Sequence, residues 1–480
     1  MKNKLLILIL VSLTIFTRGY QLVERFAYDH DSDLSAWIVK DITIDHHLRL
    51  IGQQTSSKGL FIGPLFYYSL IPFFVIANFD PIGTAYYSIA VGVFGVLSLY
   101  FVVTRVLGHK TAFFAALLYA TSFLISSTER QVVPTTVIFV WSIWFVYAIY
   151  LINQGKRFGL IITSILLALA WHIQLVLIIA SLPLLSLVIV RLKKFAFKDF
   201  VLAGLVLVVL SAPLILFEIR HDFIQFRSLF FSFEIAEELP RTLSQKVSHV
   251  FTLVKKNANF IFWVRPQKFH DAAVPGIILI GSILLLIRKK LPTYLLVIFS
   301  AWFGIFILFF ISNHINLSEY YFNGLNIAWI ILAAAILAHL RKFGWLLLIA
   351  IVVYNLYILV TFPINRSGYQ YRKQMVDLIA TDAAAHSYPC IAISYMTEPG
   401  YELGYRYLFW LKDMHVNRPD SNSPVYTIVF PHKLANRLDH TVGALGLVLP
   451  DYSRYNETGV KESCSGENSN ITDPMFGFTK

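Results

Sequence analysis

The chain has 480 residues, 57% hydrophobic and only 14% charged, with a mean hydropathy of +0.64. That balance excludes a soluble globular protein of this length and points to an integral membrane protein. The net charge of +12 does not signal a nucleic-acid partner, because Lys and Arg fall in short clusters between apolar runs, where they act as topology signals.

In chain order, Lys2 and Lys4 precede an apolar run from Leu5 to Phe16. No small-x-small cleavage site follows at Thr17-Arg18-Gly19-Tyr20, so the run reads as an uncleaved first span near 4–20 and not as a signal peptide. Just beyond it stands Phe26-Ala27-Tyr28-Asp29-His30-Asp31-Ser32-Asp33, with three carboxylates on alternate residues. Asp29 and Asp33 are four apart and would share one face of a helix, with Asp31 turned away as a bystander. Like charges at that spacing repel, so helix stability does not ask for them. At a membrane surface such a cluster points to a proton, a metal or a hydroxyl substrate. The competing reading is solvated loop charge that N-caps an interfacial helix.

Leu60 to Phe79 is long enough to cross, but Pro64 and Pro72 interrupt it and a crossing would flip every later basic cluster, so it reads as interfacial helices. Further spans fall near 83–104, 111–127, 133–152, 158–173, 175–190, 199–217, 272–287, 292–312, 322–339 and 344–362. The run 158–190 is basic at both ends and broken by Trp171, His172 and Gln174, so it goes out and returns. Lys2, Arg105, Lys156, Arg191, Arg288 and Arg341, with their basic neighbours, then share one face, which the positive-inside rule makes cytoplasmic.

The expected fold is a polytopic α-helical plasma (inner) membrane protein with about eleven transmembrane helices, its N-terminus cytoplasmic. Residues 1–362 form the transmembrane part, including a first external loop over 21–82 and a second external segment over 218–271. Residues 363–480 read as a small external C-terminal α/β domain, with strands at Tyr388 to Tyr395 and Val425 to Phe430. Cys390 and Cys464 both lie in it, and their spacing leaves a disulfide and two free thiols equally open.

The acidic cluster, together with Leu50 to Tyr68 and its Gly63-Pro64-Leu65-Phe66-Tyr67-Tyr68 stretch, resembles the GT-C class of membrane glycosyltransferases. The similarity is to the bacterial branch related to protein O-mannosyltransferases and aminoarabinose transferases. Relatives commonly carry D-x-x-x-D where Asp29 and Asp33 stand and G-P-L-x-Y-Y at 63–68, often with Gln and Arg where this chain has His30 and Ser32. The resemblance implies a polyprenyl-phosphate-linked sugar as donor and a cell-envelope glycan, lipid or protein as acceptor.

Such a transfer needs a base and a group that lets the lipid phosphate leave. Asp29 is the expected base, with Asp33 orienting it or sharing an optional divalent metal with it. Lys58, Arg130, Arg220 and His221 are the candidates for the phosphate, each with a snorkelling interfacial residue as its plainer reading. Tyr68 and Tyr321 are expected to touch substrate, the latter by stacking unless it is an interface anchor. His172 would touch sugar or phosphate, or form a helix-packing hydrogen bond. His46 and His47, adjacent and divergent on a helix, make poor joint metal ligands with Asp41 and Asp45. Rival classes are a lipid-sugar flippase or transporter, a surface-glycan polymerase or ligase, and a non-catalytic assembly factor. A transporter tends to show repeats and mid-membrane charges, which are not visible here.

Overall fold

With no water to bond in a bilayer, the backbone of a long apolar run closes its hydrogen bonds internally, as a helix. In the computed structural model, which describes residues 2–55, 59–231, 242–263, 273–312, 317, 319–466 and 468, these runs are helical. The chain opens with α1 (Lys2–Gly19), α2 (His30–Thr43), α3 (Leu65–Ile76), α4 (Gly83–Leu107), α5 (His109–Thr121) and α6 (Phe123–Arg130). It continues through α7 (Ile138–Asn153), α8 (Phe158–Ile173), α9 (Val176–Ala180), α10 (Leu182–Val190), α11 (Phe197–Arg220), α12 (Ile224–Phe231) and α13 (Leu243–Phe260). The last long apolar helices are α14 (Ala273–Ile287), α15 (Thr293–Ser312), α16 (Asn326–His339) and α17 (Arg341–Thr361).

Among the described residues, six helical segments have the length and hydropathy to cross a membrane, or seven if the pair α5 and α6, bent by 55°, is one span. Phe197–Arg220 has 17% of its apolar window buried against 89% for Glu319–His339. The first therefore presents an apolar face outward and the second sits at the centre of the bundle, as in an integral membrane protein. The run 158–190 does break where expected: Gln174 is extended (φ −166°, ψ 123°) between α8 and α9. Leu65–Ile76 is a short 12-residue helix with Pro72 inside it.

The bend between α5 and α6 has a definite cause. At Ser122 the chain leaves the helix (φ −58°, ψ 123°), freeing carbonyls that α5 would otherwise bond. Arg18, fully buried at the end of α1, donates from Nη1 to Ala120 O at 2.5 Å and from Nη2 to Tyr119 O at 3.3 Å. Its Nε and Nη2 also meet Glu129 Oε2 of α6 at 2.8 and 2.7 Å, and Tyr119 OH donates to Glu129 Oε1. Gly92 on α4 leaves room for this, since a Cβ there would lie 2.9 Å from Arg18 Nε. One guanidinium thus ties α1, α5 and α6 together.

Beyond α17, α18 (Tyr369–Ala385) packs on a five-stranded mixed sheet ordered β2-β1-β3-β5-β4. Its strands are β1 (Ile391–Thr397), β2 (Val416–Asn417), β3 (Val425–Phe430), β4 (His440–Val442) and β5 (Leu445–Val448). β1 runs parallel to β2 and β3, while β5 is antiparallel to β3 and β4. The helices α19 (Arg406–Trp410) and α20 (Glu457–Ser463) complete the tail, and Cys390 is bonded to Cys464.

The tail clasps the first loop. Tyr369 N–H donates to Phe26 O at 3.1 Å, Tyr407 OH to Phe79 O at 2.9 Å, and Lys373 Nζ meets Asp80 Oδ2 at 2.5 Å. Trp37 of α2 stacks edge-on against Tyr407 at 5.5 Å.

Removing one partner of a buried ion pair strands the other, which costs about 3–5 kcal/mol. Arg18→Met and Glu129→Leu are each expected to destabilise the protein by about that amount, and the double variant to recover most of it. Thermal unfolding in detergent, read as a double-mutant cycle, checks this.

Candidate active site

The acidic motif folds as the start of α2, and the three carboxylates part company there. Asp29 is its N-cap, extended (φ −107°, ψ −167°) and exposed, and accepts from Ser32 N–H at 3.2 Å and Ser32 Oγ at 3.1 Å. Because the cap residue is not helical, its side chain does not follow the helical spacing that would pair it with Asp33. Asp33 is 1% exposed, and its Oδ1 accepts from Tyr28 OH at 2.7 Å and from Tyr407 N–H at 3.3 Å. It therefore joins loop to tail and does not line the cavity described below. Asp31, expected to be a bystander, lines that cavity beside Asp29.

Gln53 Nε2 reaches Asp31 Oδ1 at 3.5 Å, while its Oε1 accepts from Tyr67 OH at 3.0 Å. A short antiparallel ribbon holds Gln53 there: Gly52 N–H donates to Ile62 O at 2.7 Å and Ile62 N–H to Gln53 O at 3.1 Å. Burial is the largest influence on Asp31, followed by the charge of Asp29, and both push its carboxyl above the usual range; His30 and the Gln53 contact pull it back.

The ribbon is docked on α8. Gly63 N–H donates to Trp171 O at 3.1 Å, and Trp171 Nε1 donates to Phe61 O at 3.2 Å. His172 Nδ1 accepts from Leu65 N–H at 3.3 Å, so its Nε2 carries the proton and donates to Leu210 O at 3.2 Å. Gly63 is required by this approach, since a Cβ there would fall 2.0 Å from His172 Nδ1.

Between ribbon, α6, α8, α9, α13 and α15 lies a cavity of about 970 Å³, large enough for a sugar and part of a lipid. Asp29, Asp31, Gln53, Gln174, Lys256 and Tyr321 are on its wall. Lys256 Nζ pairs with Glu319 Oε2, also on the wall, at 2.6 Å. The Tyr321 ring stacks on Tyr320 at 4.4 Å.

Of the residues expected at the site, Asp29 and Tyr321 line the cavity, and Lys58 lies outside the described residues. The others are placed elsewhere for identifiable reasons. Arg130 Nη2 donates to Tyr20 O at 2.9 Å, tying α6 to the turn that follows α1. Tyr68 OH bonds the backbone of Arg49, itself paired with buried Asp41 at 3.1 Å. His172 has both nitrogens committed to packing. Arg220 ends α11 and His221 stacks on Phe217 at 4.1 Å, both off the cavity wall. Among the described residues no group of three or more His, Cys, Asp or Glu could hold a metal, and Asp29 and Asp33 do not converge on one point. The described residues thus offer no metal site of three or more such ligands.

Lys256 and Asn257 of α13 were not foreseen. The only signal in the sequence is that α13 is an amphipathic helix with a polar face.

The fold is that of ArnT, a GT-C membrane glycosyltransferase. No protein-family model and no curated protein matches the sequence. Among solved structures, ArnT from Cupriavidus metallidurans in the apo state aligns at TM-score 0.62 and 14% identity, over 95% of this chain and 100% of that one. The same aminoarabinose transferase bound to undecaprenyl phosphate aligns at 0.59 and 12%, over 94% and 98%. The archaeal oligosaccharyltransferase AglB from Archaeoglobus fulgidus aligns at 0.43 and 13%, over 88% and 69%.

Two outcomes are expected. Gly63→Ala should destabilise the protein by about 1–3 kcal/mol through overpacking against His172, and His172→Ala in the same chain should restore part of it, as seen by thermal unfolding. Asp31 ionises at higher pH folded than unfolded, so its charge disfavours the folded state at neutral pH, and that penalty vanishes as pH falls through the folded value. Asp31→Asn is therefore expected to raise the melting temperature at pH 7 and to leave it unchanged below about pH 4.

Proposed function

We propose that the protein is a glycosyltransferase that moves a sugar from a polyprenyl-phosphate-linked donor to a hydroxyl of a cell-envelope acceptor, on the extracytoplasmic face. The observation that carries this is the position of exposed Asp29, beside Asp31, on the wall of a lipid-sized cavity. Support comes from the shared fold of ArnT, which has been solved with undecaprenyl phosphate bound.

The acceptor oxygen attacks the anomeric carbon, the bond from that carbon to the phosphate oxygen breaks, and polyprenyl phosphate departs. Asp29 takes the acceptor's proton as the attack develops. Asp31, held by Gln53, keeps negative potential beside the base. Lys256, paired with Glu319, is the described cation on the wall that can face the leaving phosphate. Lys58, five residues after Gln53 in the chain, is kept as a second candidate for the phosphate.

About eleven crossings remain our topology. Besides the six long segments and the bent pair, they take in α1, α8, the α9–α10 pair and α14, leaving α3 interfacial. The N-terminus is then cytoplasmic, and residues 363–480 form an external domain. The Cys390–Cys464 bond supports this side, since disulfides persist in oxidising compartments.

The test is release of polyprenyl phosphate and labelling of envelope acceptors by purified protein in nanodiscs. Asp29→Asn is expected to lower kcat by about 10²-fold or more with the fold intact. Asp33→Asn is expected to act first on stability, by loosening the tail from the first loop. Full turnover by Asp29→Asn would sink the assignment of the base.

A further inference from the structure

An ammonium that meets a phosphate has to give up a carboxylate already bound to it. Lys256 holds such a partner: its Nζ stands 2.6 Å from Glu319 Oε2, and both residues line the cavity. The two side chains are 42% and 54% exposed, and ion pairs this open to solvent are weakly held. Nor does the pair have to hold its two elements together. Next to Lys256, Asn257 Nδ2 donates to Asn323 Oδ1 at 3.2 Å, with both residues buried. One turn of α13 earlier and a turn earlier again, His249 Nε2 donates to Leu317 O at 3.4 Å. Phe322 and Leu325 anchor the 3-10 helix Glu319–Leu325 in the bundle core.

The Lys256 ammonium has a second support, since it lies 5.4 Å from the ring centroid of Phe260, also on the wall. It can keep its place when Glu319 swings off. A carboxylate and a lipid phosphate then compete for one ammonium. The two lipids of the reaction differ in charge. A sugar-carrying polyprenyl phosphate is a phosphodiester with one negative charge, whereas the released monoester carries about −1.5 to −2 at pH 7. Repulsion from a neighbouring carboxylate therefore falls hardest on the product.

Resting on the glycosyltransferase reading, which turns Lys256 toward the leaving phosphate, we infer that Glu319 is a stand-in for that phosphate. It occupies Lys256 in the empty site, yields to the donor, and by returning promotes release of the spent polyprenyl phosphate. Glu319 acts through Lys256 and touches no reacting atom. If the pair were merely structural, losing either partner would have the same effect. A stand-in makes the two losses act in opposite directions on phosphate binding.

The experiment compares wild type, Glu319→Gln, Lys256→Gln and the double variant, as full-length protein in nanodiscs. Binding is measured for polyprenyl phosphate and for polyprenol, the same chain without the phosphate. Glu319→Gln is expected to tighten polyprenyl phosphate binding by about 5- to 20-fold and to strengthen product inhibition of turnover by a similar factor. Its effect on donor binding, measured without acceptor, should be smaller. Lys256→Gln should weaken polyprenyl phosphate binding by about 5- to 20-fold, and the double variant should resemble it. Polyprenol binding should stay within about two-fold throughout, and melting temperatures should stay close to wild type. Glu319→Gln that leaves polyprenyl phosphate binding unchanged or weaker would overturn the inference, as would an equal gain for polyprenol. Wild-type protein that binds no polyprenyl phosphate overturns the glycosyltransferase reading itself, and the inference with it.

Discussion

Asp33 is the constraint on which the site geometry depends. A carboxylate that is 1% exposed must have donors, and it finds them in Tyr28 OH and the backbone N–H of Tyr407. That pairing joins the beginning of α2 to a segment more than 370 residues further along the chain. It also sets the rotation of α2, leaving Asp29 exposed at the N-cap and Asp31 on the cavity wall. Phe26 against Tyr369, and Asp80 between Tyr369 and Lys373, reinforce the clasp. The tail is thus part of what shapes the site.

A second buried charge acts at the other side of the cavity. Arg18 fills the hydrogen-bonding gap left where α5 stops, and its pairing with Glu129 directs α6 away at 55°. Ser127 and Thr128 of α6, with Gln131 just beyond it, line the cavity, so the bend turns a spanning helix into a cavity wall. Both devices use a charge made unable to leave its partners by exclusion of water.

Much was legible in the order of residues alone. The spans read near 83–104, 199–217 and 344–362 are the helices Gly83–Leu107, Phe197–Arg220 and Arg341–Thr361, and the strand read at 425–430 is Val425–Phe430. These are local properties: apolar runs of membrane length have one way to satisfy their backbone, and Val-Tyr-Thr-Ile-Val-Phe favours a strand. The motif Gly63-Pro64 makes its close contact with His172 and not with an open site.

The sequence by itself determined that this is a membrane protein, the run of apolar helices, the presence of an acidic loop and two of the five strands described in the tail, because composition and periodicity carry that information. Only the tertiary structure decided which carboxylates share the cavity. Spacing paired Asp29 with Asp33, but the extended N-cap conformation breaks helical periodicity, and a contact with Tyr407 withdraws Asp33 from the wall. Arg130, Tyr68 and His172 were likewise claimed by carbonyls and amides of distant segments, while Lys256 and Asn257 came in from a helix with no motif of its own. Which polar groups are free for chemistry depends on which ones folding has already used, and long-range partners do not show in local spacing.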